Sequence, residues 1–158
     1  MSLLEVFYWL EYSPLLIEMR SSPWLFPAIA TFHLFGLAII GGSVLVVDLR
    51  LLGLGLSRQP VAQLARGTTP ILLAGMSIMI PTGVLLFMCF ATKYYYLTAF
   101  WVKLTALILA LTLAFGVRSR LRGISQTEAK NVWGKPLAVL SLTLWLSVAL
   151  CGRLIGFP

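Results

Sequence analysis

Three basic side chains fall within otherwise apolar stretches of this chain: His33, Lys103 and Arg153. A charge inside a membrane span costs about 2.5–3.5 kcal/mol on insertion scales, so each of the three calls for a reason. His33 is the sole histidine. A neutral imidazole can ligate a metal or handle a proton, and it can equally hydrogen-bond a threonine, serine or carbonyl of a neighbouring helix. Lys103 and Arg153 can neutralise the acidic groups of a ligand, or extend toward the membrane surface with their stems buried. Met76, Met79, Met88, Cys89 and Cys151 offer soft sulfur ligands of the kind that suits Cu(I), and they serve equally as packing residues. Two cysteines without a motif make no disulfide framework.

Other chemistries lack their parts. The chain has no glycine-rich phosphate loop, no CxxC and no HExxH, and Glu128 is the only acid after Asp48. A carboxylate relay running through the later spans therefore has no members. A serine–histidine hydrolase would lack its orienting acid at the depth of His33.

Elements long enough to hold these residues follow from composition. Of the 158 residues 59% are hydrophobic and 11% charged, and the mean hydropathy is +0.95. Soluble domains carry about 25% charged residues, so an ordinary soluble enzyme, a disordered regulator and a nucleic-acid binder are excluded. Four segments approach the ~20 apolar residues that a bilayer crossing needs. They run over about 24–47, 70–91 (from Pro70, favourable in a first turn), 97–117 and 137–157. The expected fold is all-α: one integral membrane domain built as a four-transmembrane-helix bundle.

Residues 1–22 differ from the rest. Glu5, Glu11, Glu18 and Arg20 are interspersed with Phe7, Tyr8, Trp9 and Tyr12, a net negative start that does not suit a secretory signal. Ser13-Pro14 and Ser22-Pro23 each read as a helix start, with serine as cap and proline in the first turn. Short amphipathic helices at the membrane interface are expected here.

The formal net charge of +7 is concentrated in two connections. Arg50, Arg58 and Arg66 outweigh Asp48 in one, and Arg118, Arg120, Arg122, Lys130 and Lys135 outweigh Glu128 in the other. Positive connections stay in the cytoplasm, which makes the bundle N-out and C-out, with Tyr94–Tyr96 and Trp101 marking the outer interface. In this reading the basic loops set topology and touch anionic lipid, with no role for nucleic acid. His33 then lies ~13 Å and Lys103 ~9 Å from the outer ends of their helices at 1.5 Å per residue, and Arg153 is shallower. Lys103 shares a helix stripe with Ala99, Ala106, Ala110 and Ala114, and small residues of that kind let another helix approach. Ala30 and Gly36 flank His33 in the same way, leaving room for a flat ligand or a helix. Gly75, Met79, Thr82 and Gly83 form a further small face, where Pro81 can free a backbone carbonyl.

The stretch FPAIATFHLFGLAIIGGSVLVVDLRLLGL (Phe26–Leu54), with PTGVLLF (Pro81–Phe87) and AFWVKLTALIL (Ala99–Leu109), resembles a family of small bacterial four-helix membrane proteins of unknown function. The resemblance covers about residues 5–120, and VDLRLLG (Val47–Gly53) is its most specific part. It implies a bacterial inner-membrane protein and no particular chemistry. His33, Gly42, Arg50 and Leu51, together with Trp101-Val102-Lys103-Leu104, are more distantly similar to HemJ-type protoporphyrinogen oxidases. The lysine-bearing helix is also similar to that of copper-resistance D-type membrane proteins. This resemblance implies a b-type haem or porphyrin on His33, with Lys103 and Arg153 meeting its propionates. One histidine cannot form a bis-histidine site within one chain. The second axial ligand would be Met79, Met76, a partner subunit or none.

Three functions remain open from sequence. The protein binds haem or a porphyrin, including as a membrane oxidoreductase. It is a ligand-free accessory or anchor subunit, in a homo-oligomer or a larger membrane complex. Or it transports copper or a small solute.

Overall fold

The computed structural model describes residues 3–55, 59–123 and 134–156. Arg58, Glu128 and Lys130, and the side chain of Arg122, lie outside the described residues, so the charge of both basic connections is only partly placed. The described residues form seven helices and no strand: α1 (Leu3–Glu11), α2 (Pro14–Ser21), α3 (Leu25–Leu52), α4 (Val61–Cys89), α5 (Ala91–Tyr96), α6 (Thr98–Gly123) and α7 (Gly134–Ile155). Four of them, α3, α4, α6 and α7, are long and apolar enough to cross a membrane. The fold is thus the expected all-α four-helix bundle of a multi-pass membrane protein.

Local chemistry sets the helix ends. Helix α3 starts two residues later than Ser22-Pro23 suggests, with Trp24 at the N-cap position, although Ser22 Oγ still accepts the Leu25 N–H at 3.2 Å. Helix α3 stops at Gly53, whose φ of +82° is left-handed, while the Gly53 and Leu54 amides return to the carbonyls of Arg50 and Leu49. Helix α4 departs from the expected start at Pro70. It begins at Val61 and runs through both Pro70 and Pro81. Tertiary packing explains the added turns: Leu64 and Ala65 are buried, and Ala65 joins Val47 and Leu121 in one apolar cluster. The Thr68 and Thr69 hydroxyls bond the Leu64 and Ala65 carbonyls at 2.8 and 2.6 Å, just before the turn that Pro70 weakens.

The helices form a ring in the order α3, α4, α6, α7. The α3–α4 and α6–α7 pairs are the most extensive, so α3 and α6 face each other across the diagonal. Glycine lets α3 and α4 approach. A Cβ on Gly36 would stand 3.0 Å from both Cβ and N of Met79, and one on Gly75 would stand 2.7 Å from Ile40 Cγ1. The core holds Ile40, Val44, Leu72, Met79, Ala110, Ala114 and Trp145. Phe32, Leu34, Phe35, Ile108 and Leu146 are exposed on the outside. Small residues between helices and large apolar ones facing outward suit lipid contact.

The N-terminal helices are docked as well as amphipathic. Glu11 is buried and accepts the Thr92 amide at 2.8 Å and the Thr92 hydroxyl. Arg20 bridges Glu11 at 3.3 Å and the Cys89 carbonyl at 3.2 Å, with its guanidinium over the Phe90 ring. Phe7 meets Phe87 and Tyr95 edge-on. Trp9 and Leu15, each 71% exposed, point away from the bundle. The connection between α4 and α6 is the short helix α5, which carries Lys93, and Trp101 Nε1 donates to the Tyr95 carbonyl at 3.0 Å.

Candidate functional site

Two polar layers lie inside the bundle, one near each end. At the first, α3 brings His33 against α4. Its Nδ1 stands 3.1 Å from the Met79 carbonyl and 3.1 Å from Thr82 Oγ1. The Thr82 hydroxyl donates back into its own helix, to the Ile78 carbonyl at 2.7 Å. The carbonyl facing Nδ1 therefore fixes the tautomer: Nδ1–H donates to Met79, and Nε2 keeps its lone pair. Pro81 frees the Ser77 carbonyl, one turn before it, whereas the acceptor here is Met79. Gly83 makes room for the ring, since a Cβ there would stand 2.9 Å from His33 Cε1.

Lys103 comes from across the bundle. Its alanine stripe faces inward as expected, with Ala106, Ala110 and Ala114 buried. Lys103 Nζ lies against α7, 3.4 Å from where a Cβ on Gly152 would be, and its charge reaches His33. The structure thus joins His33 to Thr82 and Met79 of α4, while Lys103 rests against α7 within electrostatic range of the imidazole. Arg153 is exposed in the last turn of α7. Met79 belongs to the central core, and its carbonyl meets the imidazole. The sulfur residues divide: Met76 packs on the central core, while Met88 and Cys89 sit with Leu16 and Met19 in a separate cluster. Cys89 and Cys151 are free thiols. No group of three or more His, Cys, Asp or Glu side chains gathers among the described residues.

The second layer was not expected from sequence. Asp48 and Arg118, both assigned above to basic connections, lie inside helices α3 and α6 and are only 4% and 3% exposed. Arg118 donates to the Ser43 carbonyl at 3.1 Å, the Ala114 carbonyl at 3.3 Å and Thr68 Oγ1 at 3.4 Å. Ser141 of α7 approaches the Asp48 carboxylate, and the Arg118 charge acts on it through space. Asp48 Oδ2, Arg118 Nε, Ser141 Oγ and Trp145 Nε1 are all buried without a hydrogen-bond partner. The signal for this layer was present in the sequence. Arg118 continues the Ala106–Ala110–Ala114 stripe by one further turn, and Asp48 follows Ile40 and Val44 at steps of four.

A family model described as "Family of unknown function (DUF6644)" matches residues 7–158, including the last span. No curated protein and no solved structure matches the chain.

Proposed function

From the premise that this chain belongs to the DUF6644 family, a multi-pass membrane family without an assigned chemistry, we propose that it holds a b-type haem or related porphyrin through His33. The observation that carries this reading is the imidazole's hydrogen bonding. With Nδ1–H given to a backbone carbonyl, Nε2 has the orientation and basicity of a metal ligand, an arrangement that metal-binding histidines ordinarily share. The residues fit one axial ligand and no more. Met79 presents its backbone to one ring nitrogen, so its thioether cannot reach the far side of a macrocycle bound at the other. The glycine gaps beside His33 are filled: Gly83 by the ring itself, and Gly36 and Gly75 by facing helices. The macrocycle therefore belongs at the periphery of the half-buried His33, where a second copy or a partner subunit would complete the coordination. Lys103 would meet a propionate, and Arg153, next to the Gly152 on which Lys103 rests, the other. A bound haem would supply electron transfer or porphyrin redox chemistry at this position.

Protein purified in mild detergent from haem-replete cells is expected to show a Soret band. His33→Ala is expected to abolish the band without changing the elution profile. A colourless, metal-free preparation overturns the reading.

A second reading, a ligand-free accessory subunit, is favoured by the same closed glycine contacts. In it the His33–Met79 bond only ties α3 to α4. A stable complex with another membrane protein that survives His33→Ala, without colour, supports this alternative. Copper or small-solute transport has weaker support, because the soft sulfur residues divide between two clusters.

A further inference from the structure

The layer around Asp48 carries an inference independent of His33. Four side chains from three helices each leave one polar atom without a partner there: Asp48 Oδ2, Arg118 Nε, Ser141 Oγ and Trp145 Nε1. Each residue is more than nine-tenths buried, at 4%, 3%, 3% and 8% exposure. Buried polar atoms in folded proteins almost always have a partner, in protein or in ordered water. Asp48 Oδ2, Arg118 Nε and Ser141 Oγ gather at this level, with Ser141 facing the Asp48 carboxylate, and Trp145 Nε1 lies one turn further along α7 at the edge of the central core. Together they make a site with something to be bound.

Their chemistry selects the occupant. Arg118 Nε–H and Trp145 Nε1–H are donors only, Asp48 Oδ2 is an acceptor while ionised, and the Ser141 hydroxyl can do both. A bound molecule must accept from the first two and donate to the third. An anion would face the Asp48 carboxylate, and a cation would face the Arg118 guanidinium. The neighbours do not alter this balance. Helix α4 contributes Thr68, which is bonded to Arg118, and α7 contributes Ser141. The occupant is thus small and neutral, with both donors and acceptors. We propose that Asp48, Arg118, Ser141 and Trp145 line a hydrated site within the bundle, in which bound water links the α3 carboxylate to donors on α6 and α7.

Water-edited solid-state NMR of the intact protein in liposomes tests this directly. With 15N-labelled arginine and tryptophan, magnetisation from water is expected to reach Arg118 Nε and Trp145 Nε1 several-fold faster than it reaches the Ala110 methyl, which lies in the dry core. Trp145→Phe assigns the indole signal. Transfer to either nitrogen no faster than to Ala110 overturns the proposal. Because this readout does not involve His33, a colourless protein with a hydrated Asp48 layer would separate this inference from haem binding.

Discussion

The two polar layers repeat one spacing and resolve it differently. His33 and Asp48 are fifteen residues apart on α3, and Lys103 and Arg118 are fifteen apart on α6. At 1.5 Å per residue both separations are ~22 Å, so two helices running the same way carry polar groups at matching depths. Between them lies an apolar layer of Ile40, Val44, Leu72 and Ala110. At the His33 end the donor is met by a backbone carbonyl and the groups are half-buried. At the Asp48 end the charges are almost fully buried, and four polar atoms lack partners. A satisfied polar group can hold helices together at little risk. An unsatisfied one is tolerated only where the fold must supply something else, so the burden of stability and of polar chemistry is split between opposite ends.

The largest expected effect is at Arg118. Arg118→Ala removes the guanidinium that bonds the Ser43 and Ala114 carbonyls and Thr68 Oγ1, and takes from the buried Asp48 the positive charge that acts on it through space. Hydrogen bonds to a charged group contribute about 1.5–3 kcal/mol. The folded yield and the Tm in detergent should both drop sharply. Arg118→Met combined with Asp48→Asn, which removes both charges, should recover most of the loss. If the single and double variants are equally unstable, the layer acts by packing and the contrast between the two ends fails.

Much of this contrast is legible in the sequence. The alanine stripe of α6 correctly aimed Lys103 inward, and His33 with Gly36 correctly marked a close helix contact. The Asp48 layer was missed because charge near a helix end reads as topology, and hydropathy windows stop at the first charged residues. Asp48 and Arg118 were assigned to loops for that reason, although both continue an inward-facing register by one turn. Pro70 misled in the opposite direction. Proline favours a first turn, but the burial of Leu64 and Ala65 extends α4 back through it. The orphaned atoms themselves are set by side-chain packing among α3, α6 and α7, which no single stretch of sequence encodes.

The apolar layer between the two ends should show an intermediate effect. Gly75→Val adds bulk where a Cβ alone would stand 2.7 Å from Ile40 Cγ1 and 3.0 Å from the Gly36 carbonyl. Overpacking of this kind costs about 1–3 kcal/mol, and a backbone carbonyl cannot turn aside as a side chain can. Gly116→Ala, with nothing within 4 Å of the added Cβ, is the control and should hold or slightly raise the Tm, because alanine favours the helix. Equal Tm values for the two variants would show that α3 and α4 are not held at glycine distance.

His33→Ala should have little effect on stability. Hydrogen bonds between membrane helices average about 0.6 kcal/mol, so the Tm should move by only a degree or two while any Soret band disappears. A loss as large as that of Arg118→Ala would make the His33 end a structural centre and reverse the comparison.

The finest test is Gly83→Ala, which leaves the imidazole in place chemically but removes its seat. The new methyl would stand 2.9 Å from Cε1 and 3.4 Å from Nδ1, so the ring must swing away and loosen its bond to the Met79 carbonyl. Stability should change by less than the roughly 0.6 kcal/mol that the whole hydrogen bond carries, because the flexible side chain absorbs the clash. Ligand binding should respond far more, since an imidazole released from its carbonyl loses both its tautomer and its direction. The expected result is a Soret band weakened or shifted at nearly unchanged Tm. An unaltered band would mean that the Met79 carbonyl does not orient the ligand. Colourless parent and variant proteins with equal Tm would leave His33 as a tie between two helices, and the chemistry of this bundle would then rest on the Asp48 end.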